Sequence, residues 1–168
     1  MNYEPLLMQQ LSRRNMEYVA HCIGDDATEF ERLMAVVLHG EEPVAQRAAW
    51  AMDVCIETYP WLLTPYVETL MEALPRFVNN GVRRQVVKAL SVREIPEKSE
   101  GALAGLCFEW LQSSAVPVGV KVHCMQILAN IAARHPNLSG ELRVVINEQI
   151  PRNSAGLASR GRKILKKL

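Results

Sequence analysis

The stretch PVAQRAAW, residues 43–50, opens an apolar helix that carries a base, Arg47, in its middle. Its first five residues are echoed by PVGVK at 117–121, which lies 74 residues later, or twice 37. A shift of 37 from Arg47 gives Arg84, and a second shift gives Lys121. A base that recurs at a fixed interval indicates an internal repeat, so we interpret these three residues as one column of a repeating structure.

An apolar stripe with the same period precedes each of these bases. Its spacing of i, i+3, i+4, i+7 is that of one buried face of a helix. The stripe recurs with a shift of 37 in three units and with a shift of 38 in a fourth, where the last position is polar. Its members are Phe30, Leu33, Met34, Val37; Val67, Leu70, Met71, Leu74; Ala104, Cys107, Phe108, Leu111; and Leu142, Val145, Ile146, Gln149.

Capping and proline signals predict where the helices begin and end. Asp26 and Glu29 have the spacing of a capping box, and Thr64 before Pro65 predicts an N-cap with proline at the first helical position. Proline cannot continue a preceding helix, which predicts helix ends before Pro60, Pro96 and Pro136. The predicted helices are 4–11, 13–23, 26–39, 43–58, 65–75, 80–92, 97–113, 117–134, 139–150 and 154–167.

Helix pairs that repeat at this period stack so that neighbours cover each other's apolar faces. The PV-x-x-R opening, the period near 37 and the pair layout resemble HEAT-like repeats over about residues 25–168. The chain is also similar to small bacterial HEAT-repeat proteins with tails like SRGRKILKKL. The resemblance implies an all-α fold, a right-handed α-solenoid of about four HEAT-like helix pairs with an N-terminal helical cap. We expect a single domain over 1–168, with a cap at 1–24 and pairs at 25–60, 61–96, 97–135 and 136–168.

Composition and motifs point away from catalysis. Apolar residues make up 49% and charged residues 22%, and no apolar run approaches the roughly 20 residues that span a bilayer. No signal-peptide order and no C-x-x-C occurs, which predicts a cytoplasmic protein with reduced, buried thiols at Cys22, Cys55, Cys107 and Cys124. Metal-ligand spacings, phosphate-binding glycine loops and G-x-S-x-G are also missing, so we expect no metal, no cofactor and no membrane partner.

One enzymatic alternative rests on a resemblance to the DNA alkylation-repair glycosylases, which share a HEAT-like architecture. That resemblance implies tryptophans that hold a damaged base and an aspartate that stabilises the sugar cation. Trp50 and Asp53 share one helix face, with Trp61 and Trp110 elsewhere. The column of Trp50 is apolar in the other repeats, which favours packing for that residue.

Charge is distributed unevenly along the chain. Residues 25–72 hold ten acids and two bases, 73–93 hold five bases and no acid, and the chain from 152 onward holds six bases and no acid. The basic candidates for binding a partner fall on successive second helices, meaning the second member of each pair. They are Arg83, Arg84, Lys88, Lys121, Arg160, Arg162 and Lys163.

An internal role competes with partner binding for the repeated column of Arg47, Arg84 and Lys121. In similar repeats this base often bonds to carboxylates or carbonyls of adjacent repeats, and Glu41 or Glu42 could serve Arg47. We favour such a ladder for the column. Arg83, Lys88, Arg160 and Arg162 are then the bases more available to a partner.

The functional expectation is a non-catalytic scaffold that binds a protein or an extended peptide on its concave face. The alternative is a nucleic-acid-binding protein with a basic groove, which the net charge of −8 over residues 25–72 opposes. The sequence does not predict the oligomeric state.

Overall fold

A computed structural model describes residues 2–168, and no strand occurs within that range. The chain divides into two compact units, Met1–Ala89 and Leu90–Leu168. The first unit contains α1 to α6, the last of which ends at Leu90, and the second contains α7 to α10. The helices are α1 Glu4–Gln9, α2 Arg13–Ile23, α3 Ala27–His39, α4 Val44–Thr58, α5 Val67–Ala73, α6 Asn80–Leu90, α7 Glu97–Gln112, α8 Val118–Arg134, α9 Ser139–Gln149 and α10 Ala155–Leu165. The all-α prediction is confirmed, whereas the single domain over 1–168 stays a prediction.

Helix α4 is the centre of the first unit. It contacts α1, α2 and α3, and Ala45, Ala48, Ala49 and Ala51 are all buried in it. Alanine has the highest helix propensity, and its small side chain lets neighbouring helices approach closely. The predicted stripe of α3 is fully buried, and burying each large apolar side chain contributes about 1.5–3 kcal/mol.

The predicted cap at Asp26 is confirmed. Its Oδ1 accepts hydrogen bonds from the N–H groups of Thr28, at 2.8 Å, and Glu29, at 3.1 Å. The Asp26 N–H donates to the carbonyl of Ile23 at 3.3 Å. The Glu29 carboxylate accepts a hydrogen bond from the hydroxyl of Tyr3 at 2.6 Å, so the residue expected to complete a capping box also ties α3 to the start of the chain.

The predicted helix start at Thr64 is wrong. Residues Pro60–Tyr66 form a 3₁₀-helix, with Thr64 inside it, and α5 begins only at Val67. A second 3₁₀ turn, Leu74–Arg76, follows α5 directly. Pro60 and Pro65 both fall in the first segment, and because proline has no N–H to donate, this region cannot build a continuous α-helix. The first helix of this pair is therefore shorter than the predicted 65–75.

In the second unit α7 packs along α8, and α8 also contacts α9 and α10. Gln149, where the apolar stripe lapses, is buried with 4% of its surface exposed. Its Oε1 accepts hydrogen bonds from Lys121 Nζ at 3.4 Å and Asn153 Nδ2 at 3.1 Å. The lapse therefore marks a polar contact inside the unit rather than an exposed helix face.

An ion-pair network joins three helices of the first unit. The Asp53 carboxylate of α4 is 6% exposed and lies 2.6 Å from Lys88 Nζ of α6. Lys88 Nζ also lies 3.8 Å from Glu57, whose carboxylate lies 2.5 Å from Arg13 Nη2 of α2. The network contributes to stability because the Asp53 carboxylate is buried, and burying a charge without a partner costs folding free energy.

We expect Lys88→Met to lower the free energy of unfolding by about 2 kcal/mol, because it leaves the Asp53 charge buried without its ammonium partner. Urea denaturation of the variant measures this loss. The matched control is the double variant Asp53→Asn with Lys88→Met, which removes both charges and should regain most of the lost stability. A single variant within about 0.5 kcal/mol of the parent would contradict the proposed role.

A second charged cluster lies in the second unit. The Glu100 side chain of α7 is 5% exposed and pairs with Arg134 and with His135, whose Nε2 lies 2.5 Å from Oε2. Burial alone would raise the pKa of Glu100, but the hydrogen bonds from Arg134 and His135 outweigh it, and the pKa lies below its ordinary value. Glu100 therefore ties α7 to the C-terminal end of α8 as a carboxylate.

This pKa shift predicts an acid dependence of stability. Because the folded state holds the pKa of Glu100 below its unfolded value, the stabilisation is present above the ordinary glutamate pKa and is lost as the pH falls through the folded pKa. The difference in unfolding free energy between the parent and Glu100→Gln should thus shrink as the pH is lowered from about 5 to about 3. Urea titrations at each pH measure it, and a constant difference would refute the assignment.

Candidate partner-binding surface

Each unit has a groove between its second helices. The α4–α6 groove of the first unit, about 530 Å³, is lined by Gln46, Arg47, Trp50, Arg84, Gln85 and Lys88, among others. The α8–α10 cleft of the second unit, about 450 Å³, is lined by Gln126, Asn130, Ala133, Arg160, Lys163 and Lys167, among others. Most of the sequence-predicted basic residues therefore lie on or near these two surfaces.

Three bases form a row along the α8–α10 cleft. Arg160, Lys163 and Lys167 have the i, i+3, i+7 spacing that places residues on one face of a helix, and all three are exposed. No acidic side chain of the described residues lines the cleft. The second unit as a whole carries eleven Lys and Arg against six Asp and Glu, a net charge of +5. A concave surface with charges of one sign concentrates a field that attracts anions.

Side-chain amides of α8 position the first base of this row. Arg160 Nη1 donates to Gln126 Oε1 at 3.2 Å, and Gln126 Nε2 donates to Asn130 Oδ1 at 2.9 Å. Asn130 Nδ2 in turn donates to the carbonyl of Ser91 at 2.8 Å. The guanidinium is therefore anchored through one nitrogen and retains further N–H donors. Sequence reasoning did not select these amides or Lys167, although the i+7 spacing from Arg160 was a usable signal for Lys167.

Arg162 does not belong to this row. It follows Arg160 by two positions, which is about 200° around a helix, so it lies on the opposite flank of α10 with Lys166. Arg162 does not line the cleft, although it is exposed. The helix phase does not support grouping Arg162 with Arg160 and Lys163, because proximity in sequence does not give a shared helix face, and partner binding by Arg162 stays a prediction.

Lys121 has an internal partner. It is 4% exposed, its Nζ donates to Gln149 Oε1, and burial lowers its pKa. This environment favours the internal column, and the place of Lys121 on a partner-binding face stays a prediction. Its contact with α9 of the following pair is of the kind expected for an internal column.

The other two members of the column have different environments. Arg47 Nη1 donates to the carbonyl of Leu7 in α1 at 3.1 Å, whereas Glu41 and Glu42, its predicted partners, are exposed. Arg84 is exposed and lines the α4–α6 groove, and its side chain makes no hydrogen bond or ion pair within residues 2–168. Arg47 thus bonds to a carbonyl, as the ladder prediction allows, rather than to Glu41 or Glu42, and the ladder stays a prediction for the column as a whole.

The remaining two basic candidates are held by their own unit. Arg83 Nε donates to the carbonyl of Phe77 at 2.5 Å, and its Nη1 donates to Asn80 Oδ1 at 3.4 Å, so it packs against the start of its own helix. Lys88 is held by the Asp53 carboxylate. Both bases are less buried than Lys121, but local acceptors engage them, and their availability to a partner stays a prediction.

The α4–α6 groove combines an aromatic ring with guanidinium groups. Trp50 is half-buried there beside Arg47 and Arg84, whereas its column counterparts Val87 and Cys124 are fully buried. Trp50, the first member of this column, is therefore not fully buried packing surface, unlike Val87 and Cys124. The groove also contains Gln85, whose Oε1 is buried and accepts no hydrogen bond.

Within residues 2–168 no group of three or more His, Cys, Asp and Glu side chains is arranged to hold a metal ion. None of the helices in this range is both long and apolar enough to span a bilayer. Cys55, Cys107 and Cys124 are buried, and Cys22 is partly buried. The hydrogen bond with Cys124 and burial both raise the pKa of the Cys107 thiol, which makes it a poor nucleophile.

Comparison with known proteins agrees with the helix-pair organisation of both units. No curated protein and no solved structure matches the chain. A family model described as a HEAT repeat domain matches residues 3–168, which is nearly the whole chain. The chain therefore belongs to the HEAT-repeat family.

Proposed function

We propose that the chain is a non-catalytic helical-repeat adaptor that binds an extended segment of a protein partner along the grooves between its second helices. The observation that supports this most directly is the α8–α10 cleft, where three exposed bases line a concave surface without an acidic neighbour. Membership of the HEAT-repeat family supports a scaffold role in general. The grooves add the place at which a partner would be held.

Several features of the cleft favour a protein segment over a nucleic acid. The row from Arg160 to Lys167 is short, since a helix rises about 1.5 Å per residue and α10 ends at Leu165. Its opposite wall has no charge, and Ala129, Ala132 and Ala133 of α8 form its apolar part. A duplex has a phosphate charge about every 1.7 Å, of which three bases can neutralise only a small part. A short segment with a few carboxylates matches three bases more closely.

Nucleic-acid binding is the second candidate, and the α4–α6 groove favours it. Trp50 there lies with Arg47 and Arg84, and an aromatic ring beside guanidinium groups is the combination on which unpaired bases stack. Asp53 gives no similar support to a glycosylase reaction. Its carboxylate is buried against Lys88, so it would have to leave that ion pair before it could stabilise a sugar cation.

Position-specific photo-cross-linking in living cells tests the adaptor role. A benzoylphenylalanine replaces Ala133, which is exposed and lines the α8–α10 cleft, or Leu11, which is 62% exposed and lines the α4–α6 groove. The matched controls replace Glu109 of α7 and Glu148 of α9, which are also exposed but lie on first helices. We expect discrete cross-links to protein from the groove positions and none above background from the first helices.

Two outcomes would contradict the adaptor role. Cross-links from the grooves that contain nucleic acid and no protein would favour the second candidate, and that binding should then weaken steeply between about 50 and 200 mM salt. Equal cross-linking from first and second helices would show that the grooves do not select a partner.

A further inference from the structure

We propose that the α8–α10 cleft recognises an extended acidic segment in which carboxylates on alternate residues face α10 and small apolar side chains face α8. This inference rests on the proposed adaptor role and adds the chemistry of the partner. Its three supports are the spacing of the bases, the way in which Arg160 is held, and the contrast between the two walls of the cleft.

The spacing of the bases fits an extended chain. Along the axis of α10, Arg160 and Lys163 are about 4.5 Å apart, and Lys167 lies in the turn that follows the end of the helix at Leu165. In an extended segment, side chains on the same side are two residues and about 6.6 Å apart. The long, flexible lysine side chains take up the small difference in spacing. Three carboxylates at positions i, i+2 and i+4 can therefore each meet one base.

Arg160 is prepared to bind a carboxylate. Its Nη1 is anchored by Gln126, which is held through Asn130 by the carbonyl of Ser91. A guanidinium fixed in this way loses little conformational entropy on binding, and its other N–H groups can donate to both oxygens of one carboxylate. The side-chain ammonium groups of Lys163 and Lys167 make no hydrogen bond or ion pair within residues 2–168, so a partner need not displace an internal one.

The two walls of the cleft differ in chemistry. The wall on the α10 side carries the three bases, whereas the α8 wall has no charge and presents Ala129, Ala132 and Ala133 next to the amides of Gln126 and Asn130. Successive side chains of an extended segment point to opposite sides, so acidic and small apolar residues in alternation would match both walls at once. A phosphodiester backbone has no apolar edge and would leave the alanine wall uncovered.

The test uses a fluorescein-labelled ten-residue peptide of alternating glutamate and valine, with the glutamine version of the same peptide as its neutral match. The full chain is titrated with each peptide. Binding is measured by fluorescence anisotropy and by the shifts of the side-chain amide signals of Gln126 and Asn130 in ¹⁵N NMR spectra. We expect the acidic peptide alone to shift those two amide signals. A single-stranded DNA ten-mer is the third probe and should bind more weakly than the acidic peptide.

Two double variants with the same change in charge show which flank of α10 binds the acidic peptide. Arg160→Glu with Lys163→Glu reverses the cleft row and should weaken acidic peptide binding by about tenfold or more. Arg162→Glu with Lys166→Glu makes the same change on the opposite flank of α10 and should weaken it by less than about threefold. A third double variant, Arg160→Gln with Lys163→Gln, removes the same two charges without reversing them and serves if a reversed pair disturbs the fold. Circular dichroism shows whether its helix content equals that of the parent.

Equal loss in the two reversed variants, unshifted Gln126 and Asn130 signals, or tighter binding of the DNA would each overturn the inference. Failure of the proposed partner chemistry can be distinguished from failure of the proposed adaptor role. Protein cross-links from Ala133 with no acidic-peptide binding would refute only the partner chemistry proposed for the cleft. Acidic-peptide binding with no protein cross-link in cells would refute the adaptor role.

Discussion

The structure depends first on the need of each first helix to cover its apolar stripe with a second helix. In the first unit the stripe of α3 is buried against α4, whose alanines let α1 and α2 approach as well. In the second unit the long α7–α8 contact has the same role, and Gly161 allows α10 to approach Ile146 and Ile150 of its own pair closely. One face of each helix is buried in this packing. The flanks of the second helices remain at the surface, where they can contact a partner.

Charged side chains of two kinds are found in the molecule, those with a polar partner in the same unit and those that face a cleft. Asp53, Glu100 and Lys121 are buried, and each has a polar partner, as the cost of burying an isolated charge requires. Arg160 and Lys163 have no acid beside them and face a cleft. Lys88 and Arg134 are needed to keep the fold, because removing either leaves the buried carboxylate of Asp53 or Glu100 without that partner. Bases of the second kind add repulsion to the fold, which a partner with carboxylates would relieve.

The period of the sequence predicted the helices and their buried faces well, since Phe30 and its equivalents follow directly from 3.6-residue periodicity. It failed at Thr64, where the closely spaced prolines Pro60 and Pro65 favour 3₁₀ turns over an early helix start. The binding surface was predicted less well. A repeat places Arg47, Arg84 and Lys121 at equivalent positions on their helices, but what each side chain meets depends on the neighbouring element. For Arg47 that element is α1, which is not part of the repeat.

The same reasoning explains why the Arg160 row was only partly found. Counting bases in the tail treats Arg160 and Arg162 alike, although the helix turns them to opposite flanks. Only the combination of helix phase with the amides Gln126 and Asn130 on the facing helix shows which flank forms a cleft. Those amides lie some thirty residues away in sequence and carry no charge, so no motif marks them. In a repeat protein, selectivity for a partner therefore arises less from the repeated column than from unrepeated side chains that adjacent second helices bring together.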